Sequence, residues 1–194
     1  MSSFLYDLRY LQAAVDVLQD FLFSPEIYWP IGIQPPMGET PYPQLTLGGI
    51  SLALVRIEAR AHSAEEKAQV AEVRSKISPV YQQWRTALGK KAALEIRGRI
   101  TQWGNFLIDY QDKPGSNIGR FRYEVFRRVI ISLLSPEAID LTAADHEKIA
   151  GLDKQLKSNF VPGPFIWEAD LEGAFQPDEY WFLYGRLSQK MNRD

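Results

Sequence analysis

Cysteine is absent from this chain of 194 residues, and histidine occurs at only two positions. The absence of cysteine excludes a disulfide scaffold, a thiolate metal site and a cysteine nucleophile. The chain also lacks a Gly-x-Ser-x-Gly elbow, a Gly-Lys-Ser/Thr phosphate loop and the Glu-x-x-His pairs of di-metal bundles. These motifs would identify a reaction, so without them the sequence leaves open whether the protein is an enzyme.

Long apolar runs are also missing, and none approaches the ~18 residues of a membrane-spanning helix. The first residues contain no basic region, and Asp7, Asp16 and Asp20 interrupt the apolar stretch that follows. A secretory signal peptide needs a basic start and an uninterrupted apolar segment. We therefore expect a cytoplasmic protein with no membrane partner.

Apolar residues are plentiful, at 45% of the chain, and they recur with the 3.6-residue period of a helix. The clearest stripe lies near the start and consists of Phe4, Leu8, Leu11, Val15, Leu18 and Leu22. The same pattern predicts helices over about 46–61, 90–111 and 117–134, with further helices that begin near residues 63, 142 and 177. The sequence therefore predicts an all-α fold: a single helical domain over 1–194, built as a bundle of about six to seven helices.

Local signals place several helix ends. Ser63 and Glu66 have the spacing of a capping box, and Thr142 with Asp145 resembles a weaker one. Pro79 predicts a kink or restart, and Gly89 is a plausible residue just beyond a helix end. After Pro177 the last helix is predicted from the stripe Tyr180, Tyr184, Leu187 and Met191.

Two segments rich in proline and aromatic residues, 25–44 and 160–176, interrupt the helical pattern. Their apolar content predicts long ordered loops rather than free linkers. Neither shows a convincing strand pattern, and a short extended pairing between the two segments stays an alternative. Two interpretations are open: the loops plug the open end of the bundle, which we favour, or their aromatics form a recognition surface. The surface would consist of Tyr28, Trp29, Tyr42, Trp167, Tyr180 and Trp181.

Charge is unevenly placed, since residues 85–128 carry ten Lys/Arg against four Asp/Glu, between two acidic flanks. Arg97 and Arg122 each lie next to a core stripe, so we expect both to be half-buried and to need a carboxylate partner. Glu58, beside its own helix stripe, is the best candidate for that partner. These three residues form the predicted anion-binding site, which a structural ion-pair cluster would explain equally well.

Three of the other arginines in the basic region, Arg120, Arg127 and Arg128, are expected on a solvated helix face. Arg120 and Arg128 are spaced to pair with Glu124 at four-residue intervals. Such pairing is the usual explanation of a charge run on a helix.

The two histidines provide little support for a metal centre. Glu58 and His62 are four residues apart on one predicted helix, which would place two ligands on the same face. Two ligands do not complete a site, and His146 falls at a predicted helix start where a polar residue is routine. We therefore expect no metal and no cofactor.

Three functional hypotheses follow. The leading one is a non-catalytic interaction or structural protein, whose partner is a second copy of the chain or another protein. The second is a helical bundle, either an enzyme or a binding protein, that holds a small anionic ligand through Arg97 and Arg122. The third is nucleic-acid binding by residues 85–128, which is the weakest because both flanks of that region are acidic.

Overall fold

The computed structural model describes residues 3–189, and helix accounts for 67% of them. The predicted all-α class with its handful of helices is confirmed, and one small two-stranded sheet accompanies the helices. Within the described chain, contacts define two compact units. Unit 1 runs up to Glu95 and includes Leu133–Asp140, whereas unit 2 contains Ile96–Ser132 and the chain from Leu141 onwards. The single domain expected over 1–194 stays a prediction.

The elements follow the chain order, with helices numbered α1 to α8 and strands β1 and β2. The helices are α1 Phe4–Phe23, α2 Leu47–Arg60, α3 Ala64–Gln83, α4 Arg85–Asp112, α5 Pro114–Asn117, α6 Phe121–Glu124, α7 Phe126–Leu134 and α8 Ala143–Lys157. Short 3₁₀ turns cover Ile118–Arg120, Ala169–Ala174 and Trp181–Leu183, and the strands are β1 Phe160–Phe165 and β2 Tyr184–Leu187. None of the helices within 3–189 is long and apolar enough to span a membrane.

Side-chain caps fix the beginnings of the longer helices. The Ser63 hydroxyl accepts the N–H of Glu66, and the Glu66 carboxylate accepts the N–H of Ser63 in return. Thr142 and Asp145 make the same reciprocal pair at the start of α8. Both predicted capping boxes are confirmed, since each satisfies backbone donors that a helix start leaves without a partner.

The predicted core positions are buried in both units. Leu11 of α1 lies fully buried in unit 1, while Ile100 of α4 and Val125 beside α7 are buried in unit 2. Apolar side chains recurring every three to four residues therefore do form the interior that the periodicity predicts.

The helix end expected at Gly89 was wrong. Helix α3 continues past Pro79 to Gln83, and Gly89 lies inside α4. A Cβ on Gly89 would stand 2.8 Å from Cγ1 of Ile139, and the Gly89 carbonyl accepts the Ile139 N–H at 3.2 Å. The glycine therefore allows another segment of unit 1 to approach the helix closely, and does not end a helix.

The helix predicted after Pro177 was also wrong, because Tyr184–Leu187 form β2, which pairs antiparallel with β1. Gly185 has φ of 154°, and a Cβ there would lie 2.3 Å from the Val161 carbonyl oxygen. The preceding residues, 180–184, are apolar at every position, so they offer no polar helix face and pack as buried structure instead. Met191, the last residue of the predicted stripe, lies outside the described residues.

Candidate ligand-binding site

A groove of about 510 Å³ lies between α4 and α8 within unit 2. Its lining residues come from one face of each helix. They are Arg97, Ile100, Thr101, Gly104, Asn105 and Ile108 on α4, and Asp145, Lys148, Gly151 and Leu152 on α8. The α4 members follow the three- and four-residue steps that place side chains along one helix face.

The two helices run in the same direction along this groove. Nε of Arg97 donates to Oδ2 of Asp145 at 3.1 Å, and a Cβ on Gly104 would lie 3.5 Å from Cδ2 of Leu152. The second contact lies seven residues after the first on both helices, which corresponds to about 10 Å of helix length. The groove consequently has a polar end near Arg97 and a more apolar end beyond Leu152.

Asp145 organises the polar end. Its Oδ2 accepts the N–H of Thr142 at 3.0 Å, the Thr142 hydroxyl at 3.0 Å and Nε–H of Arg97. The Thr142 N–H holds the pKa of the Asp145 carboxyl below its ordinary value; burial opposes this effect, while the Thr142 hydroxyl and Arg97 add to it. The carboxylate is therefore charged at neutral pH and fixes the guanidinium of Arg97 at the mouth of the groove.

Two cations and one anion border this polar end. Arg97 keeps 42% of its side chain exposed, and Lys148, one turn after Asp145 on α8, is also exposed. Arg97 and Lys148 contribute two positive charges and Asp145 one negative charge, so the lining residues carry a net charge of +1. That balance favours an anion over a cation as the occupant.

The end away from Arg97 combines the aliphatic side chains of Ile108 and Leu152 with the amide of Asn105, next to a strip of two glycines that have no side chain. Ile108 is 53% exposed, and Leu152 is half-buried. Gly104 and Gly151 form the strip, and a Cβ on Gly151 would have no atom within 4 Å. Space next to a helix backbone is therefore open at this point.

The predicted anion site is not assembled as expected. The carboxylate that pairs with Arg97 is Asp145, Arg122 faces Glu168 at 3.8 Å, and Glu58 pairs with Arg74. Arg97 belongs to the groove, whereas Arg122 and Glu58 are not among the lining residues. Arg97 and Arg122 have 42% and 46% of their side chains exposed.

Of the three arginines expected on a solvated face, Arg120 is exposed as predicted, whereas Arg127 and Arg128 are more deeply placed. Arg128 is only 12% exposed, and its Nε and Nη2 donate to the two carboxylate oxygens of Asp153, each at 2.8 Å. Arg127 pairs with Glu124 and is largely covered too, while the expected pair of Arg120 with Glu124 is present at 2.9 Å. Arg128 lies three residues after the buried Val125, so it stands beside the buried stripe of the helix rather than on its outer face.

The predicted aromatic surface is largely packed inside each unit. In unit 1, Trp29 contacts Phe21 and Tyr42 contacts Tyr6, which leaves Tyr28 as the exposed member. In unit 2 the three predicted aromatics also have ring partners: Trp167 meets Phe175, Tyr180 meets Phe175 and Phe182, and Trp181 meets Phe160. Tyr180 is buried. These contacts are those of loops that supply core.

The histidines stand apart from the groove. Helix α2 ends at Arg60, so His62 is not on the same helical face as Glu58, contrary to the expectation. Among residues 3–189 no three His, Asp or Glu side chains cluster in a way that would hold a metal ion.

Reasoning from sequence missed Lys148, Gly104 and Gly151. Two glycines inside predicted helices were the available signal, because an interior helix glycine costs about 1 kcal/mol relative to alanine and so usually has a packing or functional reason. Their meeting across one groove depends on the packing of α8 on α4, which periodicity does not specify.

Comparison with known proteins identified no relative: no family model, no curated protein and no solved structure matches the chain.

Proposed function

We propose that the protein is a non-catalytic binding protein that holds a small organic anion in the groove between α4 and α8. The observation that carries this proposal is one groove that combines two cationic side chains at one end with aliphatic side chains and bare backbone at the other. A volume of about 510 Å³ falls within the ~300–1,000 Å³ of small-molecule sites.

The polar end is organised before any ligand arrives. Asp145 holds the Arg97 guanidinium through Nε, and its own position is fixed by the capping box of α8. A guanidinium held in this way loses less side-chain freedom when an anion binds, and such preorganisation increases affinity. Lys148 provides the second positive charge without a structural role in the cap.

The substitution Lys148→Gln tests whether Lys148 contributes to anion binding rather than to the stability of the fold. Lys148→Gln removes one charge at ~4 Å from a bound anion, which is worth about 1 kcal/mol in a water-exposed site, or roughly fivefold in affinity. The matched control is Lys154→Gln, an exposed lysine of the same helix outside the groove.

The measurement is thermal unfolding with acetate, butanoate, benzoate and inorganic phosphate, followed by calorimetric titration of any anion that raises the midpoint. The proposal expects an organic anion to stabilise the wild type, Lys148→Gln to weaken binding about fivefold, and Lys154→Gln to leave it unchanged. Equal binding by all three proteins would contradict it, as would the lack of any stabilising anion.

A second candidate function, self-association, is favoured by a different feature in unit 1. The proline-rich segment carries three exposed apolar side chains, Tyr28, Ile33 and Met37, of which Met37 is fully exposed. Exposed apolar clusters are typical of protein contacts. Size-exclusion chromatography with light scattering tests this: we expect a dimer that Met37→Ser and Ile33→Ser weaken, and a monomer at high concentration would contradict it.

Nucleic-acid binding by residues 85–128 receives less support. The arginines of that region face carboxylates: Arg97 with Asp145, Arg120 with Glu124, and Arg128 with Asp153. Cations that are already paired release fewer counterions from a nucleic-acid backbone, so they contribute less to its affinity.

A further inference from the structure

We infer that the ligand is a chain-shaped aliphatic carboxylate of about twelve carbons, with its carboxylate between Arg97 and Lys148 and its tail directed towards Ile108. This inference rests on the proposed function and names the chemical class that the same groove would accept. It follows from the order of side chains along the groove, from its length and from the glycine strip.

The order of side chains matches an amphipathic chain. Arg97, Asp145 and Lys148 all lie at one end, where Arg97 and Asp145 are in contact. From there the α4 face continues through Ile100, Thr101, Gly104 and Asn105 to Ile108, and no further charged side chain among the described residues lines the groove. A ligand with a second charge in its middle or at its far end would lose hydration there without an ion partner.

The length of the groove sets the length of the chain. Arg97 and Ile108 are eleven residues apart on α4, which corresponds to about 16 Å along the helix axis. A carbon–carbon bond of ~1.5 Å advances about 1.25 Å along an extended, staggered chain. About twelve carbons therefore reach from the cations to Ile108.

The glycine strip provides the path of the tail. At Gly151 a Cβ would find no atom within 4 Å, so the space over this backbone is open. At Gly104 the nearest atom to such a Cβ would be Cδ2 of Leu152, at 3.5 Å. A polymethylene chain is narrow and unbranched, so it can lie against the backbone of the two glycines, with Leu152 at one side.

The test is calorimetric titration of the wild-type protein with the sodium salts of butanoate, octanoate, dodecanoate and hexadecanoate, below their micelle concentrations. The groove is open on one side, so each added carbon should contribute about one third of the ~0.8 kcal/mol of a fully buried methylene. The affinity should therefore rise about 30-fold from butanoate to dodecanoate. Hexadecanoate should bind within about twofold of dodecanoate, because its last carbons pass the end of the groove. Dodecyltrimethylammonium, with the same tail and the opposite charge, should bind at least tenfold more weakly than dodecanoate.

Two variants locate the tail. Gly151→Leu fills the strip and should abolish dodecanoate binding, while Ala150→Leu, on the exposed side of the same helix, should not. Ile108→Ser should weaken dodecanoate about fivefold and leave butanoate unchanged, whereas Leu94→Ser, an exposed aliphatic residue of α4 outside the groove, should change neither. Circular dichroism of each variant confirms that it is folded.

The outcomes separate the two proposals. Binding of butanoate that depends on Lys148 but does not strengthen with chain length would overturn the aliphatic-chain inference and leave the anion site standing. Dodecanoate binding that survives Gly151→Leu would also overturn it, because the tail would then lie elsewhere. If none of the carboxylates binds, both proposals fail.

Discussion

Lys91 lies in unit 1 with 5% of its surface exposed and holds the C-terminal end of α1. Its ammonium donates to the Ser24 carbonyl at 2.8 Å, the Ser24 hydroxyl at 3.1 Å and the Glu26 carbonyl at 2.7 Å, and lies 4.2 Å from the centre of the Phe21 ring. All three N–H donors of the lysine are thus used. Burial lowers the pKa of this ammonium, so its charge is maintained against a desolvation cost.

Replacing Lys91 by methionine keeps the length of the side chain and removes all three hydrogen bonds. A hydrogen bond to a charged donor contributes about 1.5–3 kcal/mol net, and the three bonds share one ammonium, so their contributions do not add in full. Two carbonyls at the end of α1 also lose a donor. We expect a net loss of about 2–4 kcal/mol in the free energy of unfolding, which lowers Tm by roughly 4–16 °C in a chain of this size.

The assay is urea unfolding followed by circular dichroism, with Lys90→Met as the matched control. Lys90 is adjacent in sequence but exposed, so its replacement should change stability by less than about 0.5 kcal/mol. Equal stabilities for the two variants would refute the assignment of Lys91 as the residue that holds the end of α1.

Three further perturbations have expected outcomes. Gly151→Ala should raise the unfolding free energy by about 0.5–1 kcal/mol in urea titrations, because the added methyl group meets no neighbour and alanine favours helix; a loss of stability would show that the strip is not open. Gly185→Ala should lower Tm by several degrees, since its φ of 154° and the Val161 carbonyl both exclude a side chain, and an unchanged Tm would contradict the pairing of β1 with β2. Burial, together with the nearby Glu179 charge, raises the pKa of Tyr180 to about 12. The unfolded chain therefore ionises this tyrosine first, so its stability contribution is complete below pH ~10 and declines between pH ~10 and ~12; stability measured across this range should fall less in Tyr180→Phe, and an equal fall would contradict the shift.

The helical part of the fold could be predicted from sequence because the signals are local. The stripe around Leu11 depends on residues three and four apart, and the caps at Ser63 and Thr142 depend on a partner three residues away. Such features are decided by the geometry of a single helix.

The features that could not be predicted depend on distant segments. Gly89 resembles a helix end until Ile139 is known to pack against it, and Gly185 resembles part of a helix until β1 is known to pair beside it. Arg128 resembles an exposed charge until Asp153 of α8 is known to pack against it.

The candidate site was predicted only in part for the same reason. Arg97 was correctly associated with a carboxylate, but its partner is Asp145 at the start of α8 rather than Glu58. Side-chain type and spacing identify a candidate cation, whereas its partner is decided by which helices pack together.

The account depends most on the claim that an organic anion enters the groove between α4 and α8. The most direct test is titration of ¹⁵N-labelled protein with octanoate, followed by the amide resonances of Gly104 and Gly151. We predict saturable shifts at these two glycines and at Lys148, with much smaller changes in α1 and α2. Shifts confined to other parts of the chain, with both glycine amides unchanged, would contradict it.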